Sequence, residues 1–89
     1  MKTIESTNRF LRDIKLARKR GKDLHRLETV VDALARGERL APRHRAHRLK
    51  GEMNGLWECH IEPDWLLIWD EDEKKIILIR CGTHSDLFE

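Results

Sequence analysis

Arg48-Leu49-Lys50-Gly51-Glu52-Met53-Asn54-Gly55-Leu56-Trp57-Glu58-Cys59-His60-Ile61-Glu62 is where the chain's apolar pattern changes from a helical to an extended period. Asn-Gly is the favoured central pair of a type I′ turn, because both residues tolerate the positive φ that the turn requires. The pair therefore predicts a hairpin with Arg48–Met53 on one arm and Leu56–Glu62 on the other. With Asn54 and Gly55 as the turn residues, Leu49 faces His60 and His47 faces Glu62. His47 and His60 then share one face of the sheet as diagonal neighbours, about 7–8 Å apart. Glu58 and Glu62 fall on that same face, where a carboxylate can orient an imidazole or favour its charged form. A one-residue bulge would break the arrangement.

The rest of the chain assembles around this hairpin. Pro63-Asp64 suits a second tight turn, since proline presets φ and Asp bonds nearby backbone, and Trp65–Trp69 makes the next strand. Acidic Asp70–Glu73 reads as a loop, and Lys75–Cys81, with Ile76, Ile77, Leu78 and Ile79, reads as a buried strand. Upstream, Lys2–Ser6 is a short strand and Thr7 caps a helix whose Phe10, Ile14 and Ala17 recur at i, i+4 and i+7 until Gly21. Asp23 caps a second helix with Leu24, Leu27, Val31 and Leu34 on one stripe, stopped by Gly37 before a polar loop with Pro42. Thr83 followed by Asp86 forms a capping box, with Asp in place of the usual Glu, and starts a short last helix at His84. The predicted architecture is α+β: a short N-terminal strand, two helices, an antiparallel sheet and a short C-terminal helix, in one domain spanning 1–89.

Composition narrows the classes. A chain of 89 residues, 39% hydrophobic and 38% charged, supports one modest core under a heavily solvated surface and leaves little room for a second module. Cys59 and Cys81 are too few for a secreted disulfide scaffold, and no apolar run resembles a leader or a membrane span, so a reducing cytoplasm is expected. The net charge of +2 hides an asymmetry: residues 1–50 carry 15 Lys and Arg against 6 Asp and Glu, whereas residues 51–89 carry 3 against 10. The basic half, with Arg18-Lys19-Arg20-Gly21-Lys22 and Arg43-His44-Arg45-Ala46-His47-Arg48-Leu49-Lys50, offers phosphate contacts to a nucleic acid. A solvated helix face explains the first run equally well.

The chemistry-bearing residues lie late in the chain: His47, His60, Asp64 and His84, with His44 nearby. Imidazole exchanges a proton near neutrality, with an unperturbed pKa of about 6.5, so several histidines folded together point to proton transfer. Arg80 stands at the end of the last strand, where a guanidinium fork can clamp a phosphate. A zinc site is the rival from another class: His44-x-x-His47, Cys59-His60 and Cys81-x-x-His84 supply six nitrogen and sulfur ligands. Cys59 and His60, however, are strand neighbours that point to opposite faces and do not easily join one metal.

These residues are similar, over nearly the whole length, to the YafQ-type branch of the RelE-like toxins, the bacterial mRNA interferases of type II toxin–antitoxin modules. The resemblance is carried by His47-Arg48-Leu49-Lys50-Gly51, His60-Ile61-Glu62-Pro63-Asp64-Trp65 and Arg80-Cys81-Gly82-Thr83-His84-Ser85-Asp86-Leu87-Phe88. It implies the RelE-like microbial ribonuclease fold and cleavage of mRNA in the ribosomal A site, with no metal or other cofactor, by attack of the RNA's own 2′-OH on the adjacent phosphate. It assigns acid–base work to His47, His60, Asp64 and His84; we take His84 as the acid and His60 or Asp64 as the base. Arg80 and Lys50 would hold RNA, and Trp65 and Phe88 would stack on or position bases. The implied partners are the 70S ribosome, mRNA and a DinJ/RelB-like antitoxin in a heterotetramer, with operator DNA reached only through the antitoxin and no membrane involved. Quieter roles compete: Asp64 as a turn cap, Trp65 as core, Phe88 as a pin for the last helix, and His60 as a surface residue paired with glutamate. A catalytically silent RNA- or antitoxin-binding member of the same fold is the remaining alternative.

Overall fold

The computed structural model describes residues 1–88. Strand β1 (Thr3–Ser6) is followed by helices α1 (Asn8–Lys19) and α2 (Leu24–Ala35), then β2 (His47–Arg48), β3 (Trp57–Glu62), β4 (Trp65–Glu71), β5 (Lys75–Gly82) and the short helix α3 (His84–Phe88). The five strands form one sheet in the order β1-β5-β4-β3-β2. β1 runs parallel to β5, and the other neighbours are antiparallel. The α+β architecture expected from the sequence is the one observed.

The helices start and stop where the sequence places their signals. Thr7 Oγ1 accepts from the Phe10 N–H at 3.0 Å and Asp23 Oδ1 from the His25 N–H at 3.0 Å, so each cap satisfies a donor that the first helical turn leaves free. Beyond each helix, Gly21 (φ +77°) and Gly37 (φ +73°) take the left-handed conformation. The N–H groups that follow then bond back to Ala17 and Ala33 at 3.0 Å. The inner faces of α1 and α2 cover one face of the sheet. Phe10, Ala17, Leu27, Val30 and Leu34 pack there against Cys59, Ile61, Trp65, Leu67, Trp69, Ile76, Leu78 and Cys81. Val30 is buried, while Val31, which the stripe predicts as inward, is only partly so. The other face carries a smaller cluster of Leu66, Ile68 and Leu87 with Leu49, Met53, Leu56 and Ile79 around it. β4 contributes to both because its side chains alternate faces, so Trp65-Leu66-Leu67-Ile68-Trp69 is buried throughout.

Three local expectations are corrected. The hairpin is not a two-residue type I′ turn: Asn54 keeps a negative φ (−55°, ψ 132°) while Gly55 is at +92°, the signature of a type II turn. Gly51 (φ +78°) opens an additional 3-10 turn over Gly51–Met53 where a strand was expected, and only His47–Arg48 remain extended. The register moves by four positions, so that His47 pairs with Glu58 and Arg48 with Trp57 instead of His47 with Glu62. An even shift preserves the alternation, so His47, Glu58 and His60 still share a face. Glu62 does not. A bulge at Ile61 pairs Glu62 with Trp65 and turns it to the helical side, where it meets Lys22 and Arg26 at 3.5 Å each. Finally, β4 runs through Asp70 and Glu71, and Lys2 holds Glu71 at 2.7 Å. The loop shrinks to Asp72–Lys74, with Asp72 Oδ1 accepting from the Lys74 and Lys75 N–H groups.

Candidate active site

The side chains with acid–base chemistry gather on the sheet face away from α1 and α2, at the end where β3 turns into β4 and β5 runs into α3. Pro63-Asp64 is the tight turn the sequence predicts. The capping box forms as written: Asp86 N–H donates to Thr83 Oγ1 at 3.1 Å and Thr83 N–H to Asp86 Oδ2 at 3.0 Å, which sets His84 at the first position of α3. Gly82 is required just before it, because a Cβ there would lie 2.8 Å from Asp86 Cβ.

Asp64 and His84 meet across this corner. One carboxylate oxygen, Asp64 Oδ1, accepts from both the His84 backbone N–H (2.9 Å) and His84 Nδ1 (2.6 Å). The bond from the backbone, and then that from the ring, hold the Asp64 carboxyl below the usual carboxylate range. Asp64 is therefore ionised at neutral pH and a weak base, but it is well placed to direct His84 Nε2 outward. The His60 ring lies 5.8 Å from the His84 ring, edge to face. His60 Nδ1 donates to the Pro63 carbonyl at 3.2 Å; since a carbonyl only accepts, this fixes the proton on Nδ1 and leaves Nε2 as the free lone pair of the neutral ring.

His47 lies one strand further out. Its Nδ1 donates to the Arg45 carbonyl at 2.7 Å and its Nε2 sits 3.3 Å from Glu58 Oε1. Glu58 is 6% exposed, and its second oxygen, Oε2, is buried with no protein partner. Arg80 is committed to a contact the sequence reading missed. Its Nε and Nη2 donate to the two carboxylate oxygens of Asp13 on α1, at 2.9 and 3.1 Å, and the Cys81 N–H donates to Asp13 as well, at 3.1 Å. One signal existed: Asp13 interrupts the inward Phe10, Ile14 and Ala17 stripe of α1, and an acid on such a face requires a partner. Lys50 and Phe88, both exposed, line the same shallow surface cleft beside Leu49 and Met53. Trp65 is 1% exposed and belongs to the core, with the Lys22 ammonium 5.9 Å from its ring, so it presents no face to a base in this structure.

The histidines and cysteines that would make a zinc site are dispersed. His44 Nδ1 donates to the His60 carbonyl at 2.6 Å, and Cys59 and Cys81 are free thiols inside the core. Burial pushes both thiols up to about 12, which withholds the thiolate that a metal requires. Among the described residues no three His, Cys, Asp or Glu side chains converge on a point where an ion could sit.

A family model described as "Bacterial toxin of type II toxin-antitoxin system, YafQ" matches residues 2–89. The chain belongs to the YafQ family of bacterial toxins. An mRNA interferase toxin YafQ of Escherichia coli K12 is 36% identical over 86 residues, covering 96% of this chain and 94% of that protein. The crystal structure of YafQ from E. coli BL21(DE3) matches all of both chains with a TM-score of 0.94 at 33% identity. The YafQ chain of the E. coli DinJ-YafQ toxin–antitoxin complex covers 99% of this chain and 98% of its own, with a TM-score of 0.92 at 35% identity. Membership of the YafQ family accounts for the shared fold. Among the described residues no helix is long and apolar enough to cross a membrane.

Proposed function

We propose that this YafQ-family toxin is an endoribonuclease that cuts mRNA in the ribosomal A site, using the 2′-OH of the substrate as nucleophile. The observation that carries this reading is the corner at which Asp64 fixes His84 5.8 Å from His60, each ring with Nε2 free of protein partners among the described residues. Two imidazoles so held can act at the two ends of an in-line displacement. His60 Nε2 takes the 2′-OH proton as the 2′-oxygen bonds to phosphorus. His84, its Nδ1–H held by the Asp64 carboxylate, gives the Nε2 proton of its imidazolium form to the departing 5′-oxygen as the P–O5′ bond breaks. The products are a 2′,3′-cyclic phosphate and a 5′-hydroxyl, and acid and base are both supplied by side chains without a metal. Asp64 serves as the group that orients His84 and not as the base.

The crowded phosphorane needs cations close by. Arg80, aimed by Asp13 with Nη1 unengaged among the described residues, supplies one; His47, whose two ring nitrogens both face acceptors, supplies another when both are protonated. Lys50 and Phe88 form a cleft for the strand on either side, Lys50 through phosphate and Phe88 through stacking. In the cytoplasm the toxin would be held silent by a DinJ-like antitoxin, in a heterotetramer that reaches operator DNA through the antitoxin alone; the DinJ-YafQ complex of a relative supports this partner. Primer extension on a reporter mRNA in a cell-free translation system tests the reading. In-frame cuts that need ribosomes and vanish with His84→Ala are expected. Cuts on naked RNA alone, or none, would overturn it.

A further inference from the structure

We infer that the cleft beside His60 is a second phosphate-binding subsite, holding the phosphodiester next to the scissile one on the same RNA strand. The inference rests on the RNA-cleaving reading above and extends it to Arg43, His44 and Arg45, which lie outside the family motifs quoted above. β2 is only two residues long, so beyond Glu58 the edge of β3 has no strand neighbour. The 3-10 turn Pro42–His44 covers that edge instead, and between it, α2 and the end of β3 lies a cavity of about 520 Å³. Arg26, Arg43, His44, Arg45, His60 and Glu62 line it. Its size suits a nucleotide unit.

The charge around this space is unbalanced. Among the described residues Arg43 and Arg45 form no ion pair, whereas Glu62, the one acid lining the cleft, is already shared between Lys22 and Arg26. His44 is nine-tenths buried, and the bond from its Nδ1 to the His60 carbonyl leaves Nε2 without a protein partner. Two guanidinium forks lining one cleft match the oxygens of a phosphate, and His44 Nε2, a lone pair in the neutral ring, joins them as a donor when the ring takes up its second proton.

The loop that carries these groups is also wired to both neighbouring histidines. Arg45 is held at φ 48°, ψ 44°, the only non-glycine among the described residues with a positive φ, and its carbonyl accepts from His47 Nδ1. His44 braces the backbone of His60 from the other side. A strand with its scissile phosphate between His60 and His84 must continue past His60, and this cleft is the basic concavity that shares His60 with the candidate site. That continuity favours RNA over an acidic protein segment, which the same arginines would also attract.

The test compares the parent chain with Arg43→Gln, an exposed substitution whose fold is checked by its amide NMR spectrum. Binding is measured for uncleavable 2′-O-methyl di-, tri- and tetranucleotides, which carry one, two and three internal phosphates. For the parent, affinity should rise about tenfold when the second phosphate is added, with the salt slope steepening by about 0.7. Arg43→Gln should bind the dinucleotide like the parent and lose that step. In parallel, inorganic phosphate should shift the His44 ring resonances of the parent and not those of the variant. An identical step in both proteins, or an equal loss at every length, would overturn the subsite. So would unchanged oligonucleotide binding with weaker capture of an acidic antitoxin peptide, or with weaker ribosome association; these outcomes would reassign the cleft to protein or to ribosomal RNA. A toxin that cuts mRNA but shows a flat length series loses only the subsite, whereas one that fails to cut in the translation assay loses the nuclease reading itself.

Discussion

Replacing Asp13 should be far more damaging than its place in a charged helix suggests. Its carboxylate is 9% exposed and accepts three hydrogen bonds, two from the Arg80 guanidinium and one from the Cys81 N–H. Asp13→Ala strands a largely buried guanidinium and a buried N–H together. Removing one partner of a buried ion pair costs about 3–5 kcal/mol. Arg80 keeps 19% of its side chain in water, which recovers part of that, so we expect a loss of about 2–3 kcal/mol. For a chain of this length that corresponds to a fall in Tm of roughly 10–20 °C. Asp13→Asn keeps one acceptor oxygen, for the Cys81 N–H and Arg80 Nε, and loses the charge and the bond from Arg80 Nη2, so about half the effect is expected, on the order of 1–1.5 kcal/mol. Urea unfolding of Asp13→Ala, Arg80→Ala and the double variant closes a thermodynamic cycle that should show at least about 1 kcal/mol of coupling. Additive single effects, or Asp13→Ala within about 0.5 kcal/mol of the parent, would refute the claim that Asp13 holds Arg80 in place. In the cleavage assay Asp13→Asn should lower kcat while leaving KM nearly unchanged, because it misdirects a charge that acts on the transition state.

Three further outcomes follow from the same corner of the molecule. Asp64→Asn should keep the fold but release the His84 tautomer, lowering kcat on the order of 10²-fold in the ribosome-dependent assay; unchanged kcat would rule out an orienting role. Gly82→Ala should drive a methyl group into Asp86, tilting α3 and His84, and cost about 1–3 kcal/mol by urea unfolding, with cleavage falling in step. The Asp86 carboxyl is held down at about 2, first by Arg20 and then by the Thr83 N–H. A depressed acid stabilises the fold above its unfolded value near 4 and loses that contribution as pH falls toward 2. Urea midpoints should therefore drop between about pH 4 and pH 2 in the parent and drop less in Asp86→Asn, and parallel curves would count against the clamp.

Several parts of the fold and of the candidate site were legible one residue at a time. The caps at Thr7, Asp23 and Thr83, the left-handed stops at Gly21 and Gly37 and the Pro63-Asp64 turn are all built from contacts within a few residues, so their chemistry is written locally. The Asn-Gly pair misled because its conformation depends on what surrounds it. Asn54 tolerates either sign of φ, and the positive φ was taken by Gly51 and Gly55, which allowed a longer loop and a register displaced by four positions. His47 and His60 still share a face because strand alternation survives an even displacement. Glu62 left that face because the bulge at Ile61 is an odd one.

The sequence by itself determined the order of the helices and of the strands β1, β3, β4 and β5, which residues carry acid–base side chains and the family, because those depend on local hydrogen bonding, on the 3.6- and 2-residue periods and on motifs that can be read in line. Only the tertiary structure decided which of those residues meet. It paired Asp64 with His84 across 20 positions and Arg80 with Asp13 across 67, sank Trp65 into the core and placed His44 beneath His60. Each of these is a contact between elements whose distance is set by packing of the whole sheet against two helices, and no spacing along the chain encodes it.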